Sequence, residues 1–208
     1  MSILRLINIS CEKQDRLLFS NLDINIDAGE LFFLKGENGA GKTSLLRILT
    51  GLSRPATGQV VFCGNNVSDD TNQLDNLVYC GHKLGLNSAL SAVENLVYWA
   101  KTHKQTVTIP DIERVLSLLS LVGMEDLALK YLSAGQQRRV ALARLWLNEK
   151  AILWVLDEPF TALDTQTISL LESKISEFVV NGGSVVLTSH QQAKFSCPQR
   201  NYILEYQI

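Results

Sequence analysis

Residues Gly36 to Thr43, reading GENGAGKT, decide how this chain is read. They fit G-x-x-x-x-G-K-[ST], a phosphate-binding P-loop. The run Leu31, Phe32, Phe33, Leu34 before them predicts a short buried strand, and Leu45, Leu46, Ile48 and Leu49 after them recur at helical spacing. Strand, loop and helix form the context that the motif requires. Glycines within the loop let the backbone turn with φ > 0 and come close to a ligand, so that successive N–H groups point at phosphate oxygens. The helix start that follows adds unpaired donors and the positive end of a dipole. Lys42 supplies a charge for the β- and γ-phosphates, and Thr43 a hydroxyl for Mg²⁺. A nucleoside triphosphate site is therefore expected at Gly36, Glu37, Asn38, Gly39, Ala40, Gly41, Lys42, Thr43 and Ser44.

Further along the chain, Ala151 to Leu156 (AILWVL) is apolar without alternation and runs into Asp157-Glu158-Pro159. This is the pattern of a central parallel strand covered on both faces. Two carboxylates at its end need a counter-charge, which Mg²⁺ beside the nucleotide would supply. Asp157 is the expected metal-side carboxylate, and Glu158 the group suited to polarise an attacking water. Ser184 to Leu187 predicts another buried strand, ending at Thr188-Ser189-His190. His190 would then stand beyond a strand's carboxyl end, where open α/β sheets face their ligands; that position suits a structural histidine as well as a functional one. In Ser133-Ala134-Gly135-Gln136, serine stands three residues before glutamine, and a helix is expected from Gln137 to Leu147. Such a start can bind an anion or merely satisfy its own backbone donors.

The remaining segments fill in an α/β chain. Met1 to Ala28 is strand-like, with Leu22, Ile24 and Ile26 alternating with polar residues as in a half-buried antiparallel strand. Strands are also expected at Gln59 to Cys63 and Leu77 to Cys80, with a polar surface loop from Asn65 to Asn76 between them. Two amphipathic helices follow, with stripes Val93, Leu96, Val97, Ala100 and Val115, Leu118, Leu119, Val122; the first opens with the capping box Ser91 to Glu94. They suggest a helical lobe over about 84–132, inserted in a single domain spanning 1–208. A last helix, Asp164 to Val180, carries Ile168, Leu171, Ile175 and Phe178 on one stripe.

With 19 basic and 21 acidic residues in 208, the balance of -2 argues against a broad nucleic-acid surface. Cys11, Cys63, Cys80 and Cys197 form no C-x-x-C pair, so reduced cytosolic thiols are expected and a zinc site is not. Neither a secretory leader nor an apolar run of about 18 residues is visible, so other subunits would have to bring the chain to a membrane.

GENGAGKT, LSAGQQRR (Leu132 to Arg139), ILWVLDEP (Ile152 to Pro159), TALD (Thr161 to Asp164) and TSH ending at His190 together resemble the nucleotide-binding subunits of ABC transporters. The resemblance implies a P-loop α/β fold with a mainly parallel core sheet, an antiparallel β lobe and an inserted helical lobe, and an ATPase using ATP and Mg²⁺. It implies that Gly36 to Thr43 is the Walker A loop, that Asp157 and Glu158 are the Walker B aspartate and catalytic glutamate, and that His190 is the switch histidine. Asp164 falls in the D-loop. Ser133, Gly135 and Gln136 belong to the signature, which in this family meets the γ-phosphate held by the opposing subunit, so a head-to-tail dimer of ATP-binding subunits is implied. Three positions depart from the family pattern: His82 stands where a glutamine is usual, no aromatic lies near Glu12 to Leu17 to stack on adenine, and Ala134 replaces a glycine.

YCGHKLGL (Tyr79 to Leu86), LSAGQQRRVALARL (Leu132 to Leu145) and LWVLDEPFTALD (Leu153 to Asp164) are similar to the ATP-binding subunits of cytochrome c maturation systems, the heme exporter ATP-binding family. That implies a peripheral subunit on the cytoplasmic face of an inner membrane, partnered by integral membrane subunits of a heme-handling complex and driving heme delivery or release of heme-loaded chaperone. No heme site is expected in this chain, because C-x-x-C-H is absent and His82, His103 and His190 are scattered. An exporter ATPase for another cargo and a soluble regulatory ABC ATPase are the alternatives. A GTPase is disfavoured by the absence of N-K-x-D.

Overall fold

A computed structural model describes residues 2–14, 16–67 and 76–205. The chain opens with two long strands, β1 (Ser2–Lys13) and β2 (Arg16–Asp27), paired antiparallel. The alternation at the end of β2 turns Ile24 and Ile26 into the core and leaves Asp23, Asn25 and Asp27 in water. β4 (Thr57–Phe62) joins the other edge of β1, and β5 (Asn65–Asn66) adds two residues to β4, giving an antiparallel sheet in the order β2-β1-β4-β5. The polar segment expected as a loop thus begins as a strand edge, and 68–75 lie outside the described residues.

A second sheet, all parallel where paired, runs β6 (Leu77–Cys80), β7 (Leu153–Asp157), β8 (Ser184–Thr188), β3 (Leu31–Lys35), β9 (Gln199–Ile203). The middles of its inner strands are apolar because both faces are covered. On one face Phe32, Leu34, Val155 and Val186 meet Leu45, Leu46, Ile48 and Leu49 of α1 (Lys42–Leu49), which is packed between this sheet and the antiparallel one. Burying each such α1 side chain contributes about 1.5–3 kcal/mol. On the other face Leu31, Phe33, Trp154, Leu156 and Leu187 meet Leu171, Ile175 and Val179 of α6 (Thr165–Val180). Trp154 and Phe178 stack there with ring centroids 3.7 Å apart.

A third cluster holds α2 (Ala92–Thr102) and α3 (Ile109–Leu118) against α4 (Ala134–Leu142) and α5 (Arg144–Leu147). Here the expected stripes need correction. The buried face of α2 is Ala92, Asn95, Leu96, Trp99 and Ala100, one position round from Val93 and Val97, which are only partly covered. On α3 the face is Ile112, Val115, Leu116 and then Leu119, while Leu118 and Val122 are exposed. Asn95 explains the rotation of α2. A polar residue sits inside because its amide bonds the chain entering the helix, accepting from Asn87 N at 2.8 Å and donating to Asn87 O and Ser91 O. The helix expected from Gln137 starts at Ala134 and breaks at Ala143 into two pieces. β9 was not expected at all.

Candidate functional site

The loop between β3 and α1 curls as its composition demands. Gly41 stands at φ 96° against the ring of Phe19, where an added Cβ would lie 2.9 Å from Cε1. No side chain caps α1, so its first-turn donors are left for other partners. The Lys42 ammonium reaches back to the carbonyls of Gly36 (2.7 Å) and Glu37 (3.0 Å), which keeps it over the loop. Ala40 is fully buried.

Opposite the loop, β7 and β8 deliver their C-terminal residues. Asp157 is 2 % exposed, and its two carboxylate oxygens accept from the hydroxyls of Thr43 and Thr188, each at 2.8 Å. Those two bonds make the burial of a carboxylate tolerable, and they tie the start of α1 to the ends of β7 and β8. Glu158 adopts φ 51°, a left-handed conformation that a non-glycine residue keeps only where its surroundings fix it. Its N–H donates to Thr188 at the hydroxyl (3.0 Å) and the carbonyl (3.2 Å). The Glu158 carboxylate accepts from the His190 backbone N–H at 3.0 Å, and its other oxygen, Oε1, lies 3.5 Å from His190 Nε2, buried and without a hydrogen bond.

Together these residues line a cleft of about 340 Å³ that includes Asn38, Lys42, Ser44, Asp157, Glu158 and His190. Six side chains separated by up to 152 positions are thereby gathered at one end of the parallel sheet. Lys13 and Leu18, from the stretch that lacks the family's aromatic, close one side of the cleft. Gly36, Glu37 and Ala40 do not line it, nor do Ser133, Gly135 and Gln136.

The latter three lie at the start of α4, where Ser133 Oγ accepts from Gln136 N (3.2 Å) and Ser133 N donates to Gln136 Oε1 (2.7 Å). Gly135 is pressed on the carbonyl of Ala162, 2.5 Å from where a Cβ would be. Asp164 caps α6 through Thr167 N at 2.8 Å and lies 3.8 Å from Arg139. The hydrogen bonds from Thr167 hold its carboxyl below the usual range, with Arg139 adding to the effect. His82 is exposed and lies outside the cleft.

Two functional candidates escaped the sequence reading. Thr188 stands in the sequence only as the end of an apolar strand, yet it grips both Asp157 and Glu158. Arg138 stands in the sequence only as part of LSAGQQRR, yet it is 6 % exposed and donates to the backbone carbonyls of Gly81, Asp157 and Glu158. Burial pulls its pKa down, while Cys80, Asp157 and Glu158 act in the opposite sense. The sequence offers no signal for Arg138, because the arginines inside the apolar run RVALARLWL are Arg139 and Arg144.

A larger groove, about 790 Å³, separates α2 from the end of α1 and the segment after β6. Leu52, Leu86, Leu90, Tyr98 and Trp99 give it an apolar wall, and Arg144 lies at its base.

The model of the family described as ABC transporter matches residues 19–161. The cytochrome c biogenesis ATP-binding export protein CcmA of Vibrio cholerae is 44 % identical over 185 residues, covering 88 % of this chain and 89 % of that protein. CcmA of Escherichia coli K12 is 45 % identical over 194 residues, covering 92 % and 90 %. Among solved structures, an ABC transporter ATP-binding protein from Pyrococcus furiosus superposes with a TM-score of 0.80 at 23 % identity, covering 97 % and 96 % of the two chains. A dimeric ATP-binding cassette in a post-hydrolysis state, bound to ADP and Pi, superposes with 0.77 at 24 % identity, covering 90 % and 88 %. These two likenesses show the fold, an α/β P-loop NTPase of the ATP-binding cassette type.

Proposed function

We infer the function from one premise: this chain belongs to the ABC transporter family, and it is an ATPase of that family. We propose that it is the ATP-hydrolysing subunit of a membrane complex for cytochrome c biogenesis, coupling hydrolysis to heme delivery or to release of heme-loaded chaperone. The observation that carries this reading is 44–45 % identity to CcmA proteins over about nine tenths of both chains.

In this reading ATP lies along the loop, its phosphates on the uncapped start of α1 and the Lys42 ammonium, its base against Lys13 and Leu18. The Thr43 hydroxyl and the Asp157 carboxylate are hard oxygen donors side by side at the loop mouth, a set that fits Mg²⁺. Among the described residues no cluster of three or more His, Cys, Asp or Glu offers another metal site. Bound there, Mg²⁺ would neutralise phosphate charge. Glu158 takes the proton of the attacking water as the water oxygen bonds to the γ-phosphorus and the bond to ADP breaks. Its Oε1, which makes no hydrogen bond, is the acceptor for that proton, and the His190 backbone N–H holds the carboxylate in place. Ser133, Gly135 and Gln136 meet the nucleotide of a second copy, which is why they stand outside the cleft of their own chain.

No helix among the described residues is long and apolar enough to cross a membrane. We assign the chain to the cytoplasmic face of the inner membrane, held by integral membrane subunits of a heme-handling complex that dock in the groove beside Leu86, Leu90 and Trp99. The test is heme staining of the periplasmic heme chaperone and of mature c-type cytochromes in cells carrying Lys42→Ala. Persisting heme-loaded chaperone with loss of mature cytochromes is the expected result. Normal levels of both would leave an ABC exporter for another cargo as the reading.

A further inference from the structure

Arg138 and Arg144 are buried cations on consecutive helices, and among the described residues neither forms a salt bridge. A guanidinium kept from water needs hydrogen bonding in return, and each of these finds it through its terminal nitrogens, the Nε of both being buried without a hydrogen bond. Arg144 finds it on the carbonyls of Leu84 (3.0 Å) and Gly85 (2.9 Å). Arg138 finds it at a more consequential place, donating to Gly81 O at 3.1 Å, Asp157 O at 3.2 Å and the Glu158 carbonyl. One side chain of α4 thus joins the ends of β6 and β7.

The contact with Glu158 matters because of that residue's backbone. At φ 51° its conformation is not self-sustaining, and it is fixed from two sides, by Thr188 on its N–H and by Arg138 on its C=O. Fixing both flanking peptide planes fixes the direction of the Cα–Cβ bond, and with it the carboxylate beside His190. The helix that carries Arg138 is the one capped by Ser133 and carrying Gln136 in its first turn, five and two residues away.

We propose that Arg138 is a positioning residue for ATP hydrolysis: it sets the aim of the Glu158 carboxylate and ties that aim to the position of α4, whose start meets the second nucleotide. This rests on the reading of Glu158 given above. A shift of α4 as its start closes on the partner's nucleotide then reaches the hydrolytic carboxylate of its own chain through one guanidinium, a continuous physical link between two sites.

The test uses the full chain with the membrane subunits that co-purify with it, and compares Arg138→Met, Arg138→Gln and Arg138→Lys by ATP turnover and by affinity for a fluorescent ATP analogue. Glutamine keeps an amide donor, so it reports even if the methionine variant is too unstable. We expect kcat to fall about tenfold to a hundredfold in Arg138→Gln, with KM and nucleotide affinity within about twofold, since misaiming a reacting group by a fraction of an ångström to 1 Å has effects of that size. Lysine, which can reach one carbonyl, restores part of the rate. In a Glu158→Gln background, adding Arg138→Gln changes residual turnover by less than about twofold, because the group it aims is gone. Unchanged kcat, loss of nucleotide affinity in step with kcat, or a fully additive loss in the Glu158→Gln background overturns the proposal while the site reading stands. Full turnover in Glu158→Gln alone removes both.

Discussion

The starts of α1 and α4 are both preceded by small residues and both read as anion sites, yet they are built in opposite ways. α1 begins at Gly41 with no side-chain cap, inside a cleft and beside a lysine. α4 begins at Ser133 with a complete reciprocal cap, exposed and outside that cleft. A helix start without a cap leaves its donors for a ligand, whereas a self-capped one is stable alone and can wait for a ligand supplied from elsewhere. In the proposed reading, the difference separates the part of the site that binds ATP in the isolated chain from the part that completes it.

The largest effect should come from the open start. Lys42→Ala is expected to weaken ATP binding by about a hundredfold or more and to abolish turnover, since it removes a fixed charge at a phosphate site. Ser133→Ala, assayed by the same nucleotide titration on the isolated chain, should leave affinity within about twofold, although the bond Ser133 makes is a real one. Equal losses in the two titrations would erase the distinction. Glu158→Gln is expected to keep ATP but stop hydrolysis, giving a nucleotide-locked dimer that size-exclusion chromatography would resolve.

Next in size is the support of Asp157. Thr188→Val removes one of the two hydroxyls on a buried carboxylate and should lower unfolding free energy by about 1–3 kcal/mol, read by denaturant titration. Ser133→Ala should cost about 1 kcal/mol by the same measurement, the ordinary worth of an N-cap. Ser133→Gly should cost only a few tenths.

The smallest effect concerns the cap of α6, against which the α4 start is packed. Asp164 has a lowered carboxyl pKa in the folded chain, so its capping contribution is complete above the unfolded value of about 3.9 and is lost as pH falls through the lower folded value. Asp164→Asn keeps a capping oxygen without the titration. Melting curves of the two proteins should therefore converge as pH drops below about 4, and parallel curves would show that the shift has no bearing on stability.

The open start was legible in the sequence because its chemistry is contiguous: eight residues spell the loop, and the strand and helix beside it follow from apolar runs. The carboxylates and His190 were legible for the same reason, each standing directly after an apolar strand. What escaped depends on three dimensions. β9 lies at the sheet edge, its Gln199, Arg200 and Asn201 exposed, so it carries no hydrophobic alternation and is fixed instead by backbone pairing with β3. The rotation of α2 hinges on Asn95, whose burial makes sense only once the carbonyls of Asn87 and Ser91 are beside it. Arg138 is likewise silent in one dimension, because its acceptors are backbone carbonyls 19 to 57 positions away. The exposed aliphatics Leu118 and Val122 show the converse, apolar residues at helical spacing that the helix end leaves in solvent.

The claim that one ATP is served by the loop of one chain and the capped helix of another can be tested by complementation. Lys42→Ala and Ser133→Arg chains, each inactive alone, would be co-expressed and their ATP turnover measured in purified mixed dimers. In such a dimer one site carries both substitutions and the other carries neither. The account predicts that the mixture regains a substantial part of wild-type turnover. If the mixed dimers form and remain as inactive as either parent, both elements act on a nucleotide within one chain, and the account is wrong.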